Sequence, residues 1–174
     1  MAKLKILKFP SPKLRIKAKE IKDIDKKIKI KIDDMFETMY DAPGIGLAAT
    51  QVDFHYRLLV ADVSSEQNEP LVMINPIVNK KEGVAINQEG CLSIPGYFGD
   101  VERAKTIWVS YLDGLGNKID SEFDGLLSVC VQHEIDHLDG KLFLDHLSEA
   151  KRQRIRKSID KEKRQRTKSS KSNI

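Results

Sequence analysis

The 174-residue chain predicts an α+β domain, on two kinds of pattern. Apolar residues recur at helical spacing in two stretches, from Ile21 to Tyr40 and from Leu126 to His137. Strand-like runs lie between them. One pair, Lys105 to Leu112 and Lys118 to Asp124, flanks Asp113-Gly114-Leu115-Gly116-Asn117, an antiparallel hairpin signal.

The length suits one domain with a real core. A hydrophobic fraction of 40% and a charged fraction of 32% fit a soluble globular protein. No stretch is apolar enough to span a bilayer, and Met1 to Pro10 lacks the apolar run of a signal peptide. A cytoplasmic location is therefore expected, and in that reducing setting Cys91 and Cys130 should stay unpaired. The net charge of +4 is unevenly spread. Lys151 to Ile174 holds 11 Lys/Arg against 2 Asp/Glu, a balance of +9, which leaves −5 for residues 1–150. An acidic body with a basic tail suits either a polyanion bound through the tail or a tail that is simply solvated.

In chain order, Leu4 to Leu14 is broken by Pro10 and Pro12 and reads as an extended arm. From Ile21 to Tyr40, Ile28, Ile32, Met35, Phe36 and Met39 form the buried stripe of an ordinary core helix, stopped by Asp41-Ala42-Pro43-Gly44. Gly44 to Gln51 follows, two glycines and small residues that permit close backbone approach, with Gln51 able to donate from its amide. It lacks the Gly-Lys-Ser/Thr ending of a phosphate loop. Arg57 to Val63 and Leu71 to Val78 read as strands about a polar loop, Glu66 to Pro70. Glu89 to Gly96 reads as an irregular segment around Cys91. Along the second hairpin strand, Ile119, Ser121 and Phe123 alternate with charged residues, so one face should be buried. Asp124 is the expected N-cap of the next helix and Gly140 its stop. Ser148 should cap a last helix carrying Ile155 and Ile159, with Thr167 to Ile174 disordered.

The chemistry centres on Gln132-His133-Glu134-Ile135-Asp136-His137-Leu138-Asp139-Gly140. His133 and His137, four apart on a helix, share a face and can hold one divalent metal. Glu134 lies close enough to work on a water at that metal. Leu126, Val129, Cys130 and the two histidines make one stripe, with Cys130 reading as a buried thiol of the cleft wall. A third ligand is needed. A histidine six residues after His137 is excluded, because that position is Phe143. Glu149 and Glu162 lie in the basic tail, where burying a ligand is costly. Cys91 as a thiolate gives three ligands and leaves one position open.

At this point the sequence closely resembles the bacterial peptide deformylases. Three family motifs stand in order: Gly-x-Gly-x-Ala-Ala-x-Gln at Gly44 to Gln51, Glu-Gly-Cys-Leu-Ser at Glu89 to Ser93, and Gln-His-Glu-x-Asp-His-Leu-x-Gly at Gln132 to Gly140. Phe9-Pro10 to Leu14-Arg15 also matches the family's start, and the resemblance runs from about Leu4 to Leu147. It implies the α+β deformylase fold, a central metal-binding helix surrounded by antiparallel sheets. It implies a catalytic domain over 1–147 and, over 148–174, the basic C-terminal helical extension that docks on the ribosome in one bacterial group.

The implied reaction is hydrolysis of the N-formyl group of formylmethionyl nascent peptides, releasing formate. The resemblance implies Cys91, His133 and His137 as metal ligands, with Fe²⁺ as the physiological ion and Zn²⁺, Ni²⁺ or Co²⁺ as substitutes. Glu134 would move the proton, while the Gln51 amide and the Leu92 N–H would stabilise the oxyanion. Gly44, Ile45, Gly46, Leu126 and Cys130 would receive the methionyl substrate. Glu89 and Asp136 are expected to support the ligands, with Arg103 paired to Asp136. One departure stands out. Where some members carry an arginine near the peptide path, this chain has Tyr97-Phe98-Gly99, so an apolar rim is expected. The rivals are a zinc endopeptidase using Glu149 or Glu162, and a non-enzymatic ribosome-binding protein with a structural histidine pair. Ribosomal RNA is the expected partner of the tail; neither DNA nor a membrane is expected.

Overall fold

In the computed structural model, residues 1–172 are described. Helix α1 spans Lys26–Asp41 and α2 spans Gly125–Leu138. The last helix, α3, spans Glu149–Ser172. Strands β1 (Gly46–Ala48), β2 (Leu58–Ala61), β3 (Leu71–Glu82), β6 (Thr106–Leu112) and β7 (Lys118–Asp124) form one antiparallel sheet in the order β1-β2-β3-β6-β7. β4 (Ala85–Cys91) and β5 (Ile94–Arg103) form a separate two-stranded antiparallel hairpin.

Side-chain alternation divides the core between the sheet's two faces. Leu58, Val60 and Ile74 point to one face and pack with Ile28, Ile32, Met35 and Met39 of α1. Leu59 and Met73 point to the other face and pack with Val131 and Leu138 of α2 and with Ile107 and Val109 of β6. The sheet thus separates the two helices, and α2 lies between the sheet and the β4–β5 hairpin. A third cluster joins Ile94 and Val101 of β5 to Leu14, Phe143, Leu144 and Leu147, with Ile155 and Ile159 of α3 against it.

Boundaries differ from the sequence reading for local reasons. α1 starts at Lys26 rather than Ile21, because the Asp25 carboxylate accepts from the Ile28 N–H at 3.0 Å and caps the helix there. Ile21 precedes it in extended chain, its N–H and carbonyl both bonded to the Asn75 side chain. β3 continues past Val78 to Glu82 by way of register shifts beside Pro76 and Asn79. Asp124 holds the N-cap position of α2, but its side chain makes no capping hydrogen bond.

The irregular segment expected at Glu89 to Gly96 is instead the tip of the β4–β5 hairpin, with Cys91 paired to Ile94 across Leu92-Ser93. Most residues along β4 and β5 are exposed or half-buried, so no continuous apolar run betrays the strands. The disorder expected from Thr167 gives way to helix, as α3 runs through Ser172; Asn173 and Ile174 fall outside the described residues. Ser148 caps α3 as expected, its Oγ accepting from the Lys151 N–H at 3.3 Å.

α2 ends in a Schellman turn. Gly140 N–H bonds the His137 carbonyl at 3.1 Å, and Lys141 N–H bonds that of Asp136 at 2.8 Å. Gly140 has φ +74°, and a Cβ there would lie 2.6 Å from the Arg15 carbonyl oxygen. The helix C-terminus and the N-terminal arm are therefore locked together at a position only glycine can occupy.

Candidate metal centre

Cys91 closes β4 and is carried by the hairpin tip over α2, where His133 and His137 share one face. One donor atom from each of these three residues lies within 4.8 Å of the others. The Cys91 Sγ is 3.2 Å from His137 Nε2. The two imidazoles sit edge to face, with ring centroids 5.0 Å apart. Both are buried, His137 almost completely.

The second nitrogen of His133 fixes its orientation. Nδ1 lies 2.8 Å from Glu89 Oε1, and a carboxylate only accepts, so Nδ1 carries the proton and Nε2 is left as a lone-pair donor. Arg103 grips the same carboxylate with Nε at 2.8 Å and a terminal nitrogen at 2.9 Å. Its other terminal nitrogen donates to Asp136 Oδ2 at 2.6 Å. Burial alone would raise the Glu89 carboxyl, but the guanidinium and the imidazole beside it hold it down at about 2. Burial likewise pushes the Glu134 carboxyl up to about 7. The buried Cys130 thiol is raised too, by burial and then by the charges of Glu134 and Glu89. Cys130 lies outside the three-donor cluster and lines the cleft.

The strand β1 closes the other side. A Cβ on Gly46 would stand 2.6 Å from Glu134 Oε1 and 2.7 Å from Cys130 Sγ, so the absence of a side chain lets β1 lie directly on α2. After β1 the chain turns so that Gln51 faces the hairpin tip. Its Oε1 accepts from the Ala48 N–H at 2.9 Å. Its Nε2 donates to Ser93 Oγ at 3.1 Å and lies 3.6 Å from Cys91 Sγ.

A cleft of about 710 Å³ opens over these groups. Ile45, Leu126, Val129, Cys130 and Phe98 line it, with Gly44 and Leu92 at its edge. Leu126 is half exposed and Phe98 is 63% exposed, so the wall is apolar at the mouth as well as inside. Sequence reasoning missed Ser93, which orients Gln51, and Lys8, whose Nζ donates to the Leu92 carbonyl at 2.6 Å. Ser93 stood within a quoted motif, but no residue spacing links Lys8 to the site. The alternative third ligands are elsewhere. Glu162 accepts from the Tyr97 hydroxyl at 2.8 Å, and Glu149 is paired with Gln153 on exposed α3.

A divalent metal fits this donor set. A thiol and two imidazoles converge, and one ring is already oriented by a carboxylate. Glu134, which lines the same cleft, has its Oε2 buried without a hydrogen-bond partner among the described residues.

Comparison with known proteins follows the same lines. The family model described as Polypeptide deformylase matches residues 3–153. The chain is 52% identical over 162 residues to the peptide deformylase of Pseudoalteromonas translucida, covering 93% of this chain and 97% of that one. It is 54% identical over 166 residues to that of Saccharophagus degradans, covering 95% and 96%. Among solved structures, a Legionella pneumophila peptide deformylase superposes with a TM-score of 0.90 at 43% identity, over 95% of this chain and 98% of that one.

The Arg103 bridge carries a prediction. Replacing it by leucine leaves the buried Glu89 and the half-buried Asp136 without their cation. Arg103→Leu is expected to lower the free energy of unfolding by about 3–5 kcal/mol. Removing the exposed Lys3–Asp41 pair should cost far less, because water and salt screen it. Urea denaturation of the two variants checks this, and equal small losses would show that Arg103 is not structurally coupled to the site.

Proposed function

The chain belongs to the polypeptide deformylase family, and from that premise we propose that it is a metal-dependent hydrolase that removes the N-formyl group from formylmethionyl peptides and releases formate. The convergence of Cys91, His133 and His137 beneath an apolar cleft is the observation that carries this reading.

The formyl group is an amide, and cleaving it needs a nucleophile, a seat for negative charge and a proton for the leaving amine. A divalent cation held by Cys91 Sγ and the two histidines would supply a Lewis acid and lower the pKa of a coordinated water to about 7. Glu134 takes the proton of the attacking water and delivers it to the amine nitrogen. Its burial between β1 and α2 suits it to exchange a proton near neutrality. Gln51 Nε2 and the Leu92 N–H donate to the formyl oxygen as it becomes anionic. Loss of one such donor typically costs about 10²–10³ in rate. Ser93 holds Gln51 in place for that contact.

The methionine side chain enters among Ile45, Leu126, Val129 and Cys130. Gly44 to Gly46, the lead into edge strand β1, offers backbone against which the peptide can lie extended. Glu89, Arg103 and Asp136 orient His133 and tie the hairpin to α2. Beyond the methionine the peptide meets Phe98 rather than a charge, so apolar residues are favoured there.

Residues 1–147 then form the catalytic domain and 148–174 a basic extension. The body–tail division of charge supports docking on ribosomal RNA through α3, a partner that would place the enzyme in the cytoplasm. The cell's ion is taken as Fe²⁺, a choice the Cys/His/His donor set accommodates alongside Zn²⁺, Ni²⁺ and Co²⁺.

Formate release from formyl-Met-Ala-Ser, measured on anaerobically prepared protein, tests the reaction. Wild type should turn over in proportion to its iron content. Glu134→Ala should keep the metal and lose about 10²–10⁴ of the rate. Undiminished release by Glu134→Ala would remove its role, and full activity with zinc alone would count against iron. Deleting 163–174, beyond the part of α3 that packs on the β4–β5 hairpin, should weaken ribosome binding and flatten its salt dependence while leaving peptide hydrolysis intact. Ribosome binding that is unchanged by the deletion would detach the tail from this function.

A further inference from the structure

Across α2 from the substrate cleft, a second cleft of about 660 Å³ is lined by Arg103, Gln132, Asp136 and His146. His146 lies in a short 3-10 turn, Phe143–His146, just after α2. It is about a third exposed, and its Nε2 is 2.8 Å from Asp136 Oδ2. That oxygen also accepts from Arg103 at 2.6 Å. A carboxylate offers only lone pairs, so His146 Nε2 is the donor. From the surface inward the contacts therefore run His146, Asp136, Arg103, Glu89 and finally the Nδ1–H of His133, each step 2.9 Å or shorter.

We propose that His146 is a positioning residue for the metal-ligand His133, acting through this chain of contacts. The inference rests on the reading of Cys91, His133 and His137 as a metal site. Arg103 is pulled by two carboxylates, and its hold on Glu89 depends on where Asp136 stands. Asp136 is on α2 next to His137 and is partly exposed, so water competes for its oxygens. His146 occupies one of them. The turn that presents it is itself pinned. Asp145 makes a two-pronged pair with Arg15 at 2.6 and 3.0 Å and accepts from the Leu142 N–H at 3.0 Å. Asp145 thus sets the backbone from which His146 reaches Asp136. With His146 removed, Asp136 is free to turn to solvent, Arg103 follows it, and the carboxylate behind His133 loses its fixed orientation. Outer partners of metal-ligating histidines typically contribute about 10–100-fold in metal affinity or activity. His146 is further out and partly exposed, so its effect belongs at the lower edge.

The test uses the full-length chain loaded with zinc and follows zinc release to a colorimetric chelator. His146→Ala is expected to release zinc about tenfold faster than wild type, with a lower kcat and an unchanged KM for formyl-Met-Ala-Ser. His146→Gln, whose amide nitrogen restores a donor at similar reach, should stay within about twofold of wild type. His146→Met keeps the bulk without a donor and should behave like His146→Ala, which separates the hydrogen bond from packing. Wild-type release rates in His146→Ala or His146→Met overturn the proposal. So does faster release in all three variants, His146→Gln included, since a lost side chain rather than a lost donor would then be the cause. Failure of wild type itself to retain zinc overturns the metal-site reading and this inference with it, whereas retention that no His146 variant alters overturns the inference alone.

Discussion

Glu89 binds His133 with one oxygen and Arg103 with both, and the arrangement of the site depends on this contact. The carboxylate sits two residues before Cys91 on β4, whereas the imidazole sits on α2. A single buried hydrogen bond therefore fixes the orientation of one nitrogen donor and the place of the sulfur donor together. Elsewhere the hairpin tip is held by weaker links, from Ser93 to Gln51 and from Lys8 to the Leu92 carbonyl.

Burying two charges and an imidazole in this way is expensive, and a well-packed apolar cluster would stabilise the fold as well or better. The gain is geometric. Apolar contacts between β5 and the residues around Phe143 hold the hairpin near α2 but allow it to slide. The fork of Arg103 on Glu89, with Asp136 on its far side, accepts one register only. On the opposite wall Gly46 does comparable work by absence, because any side chain there would strike Glu134 and Cys130. A ligand set assembled from a hairpin and a helix, and walled by an adjoining edge strand, thus has each element located by contacts of high directionality or of no tolerance.

The parts of this arrangement legible in sequence were those that repeat at a fixed period. His133, Glu134 and His137 declared themselves because four residues is one helical turn. The alternation of β7 and the stripe of α1 were visible for the same reason. β4 and β5 were not, since a hairpin half open to solvent carries no apolar run; Ile86 and Phe98 on it are exposed. Cys91 could be nominated as a third donor by elimination, and the resemblance to a known family agreed, but nothing local said that a strand would carry it. The Arg103–Asp136 pair was anticipated, whereas the grip of Arg103 on Glu89 was not, because contacts across 14 residues of a hairpin leave no mark in composition. Ser148 caps its helix, whereas Asp124 holds the cap position without a capping hydrogen bond, a difference that residue type does not foretell.

The central claim is that one sulfur and two imidazoles, and no other cysteine, hold a single ion. Metal stoichiometry on purified Cys91→Ala and Cys130→Ala tests it most directly, because both thiols border the same cleft and only Cys91 joins the donor cluster. The account predicts one tightly held ion per chain in Cys130→Ala and none in Cys91→Ala. Retention of the ion at wild-type affinity by Cys91→Ala would contradict it.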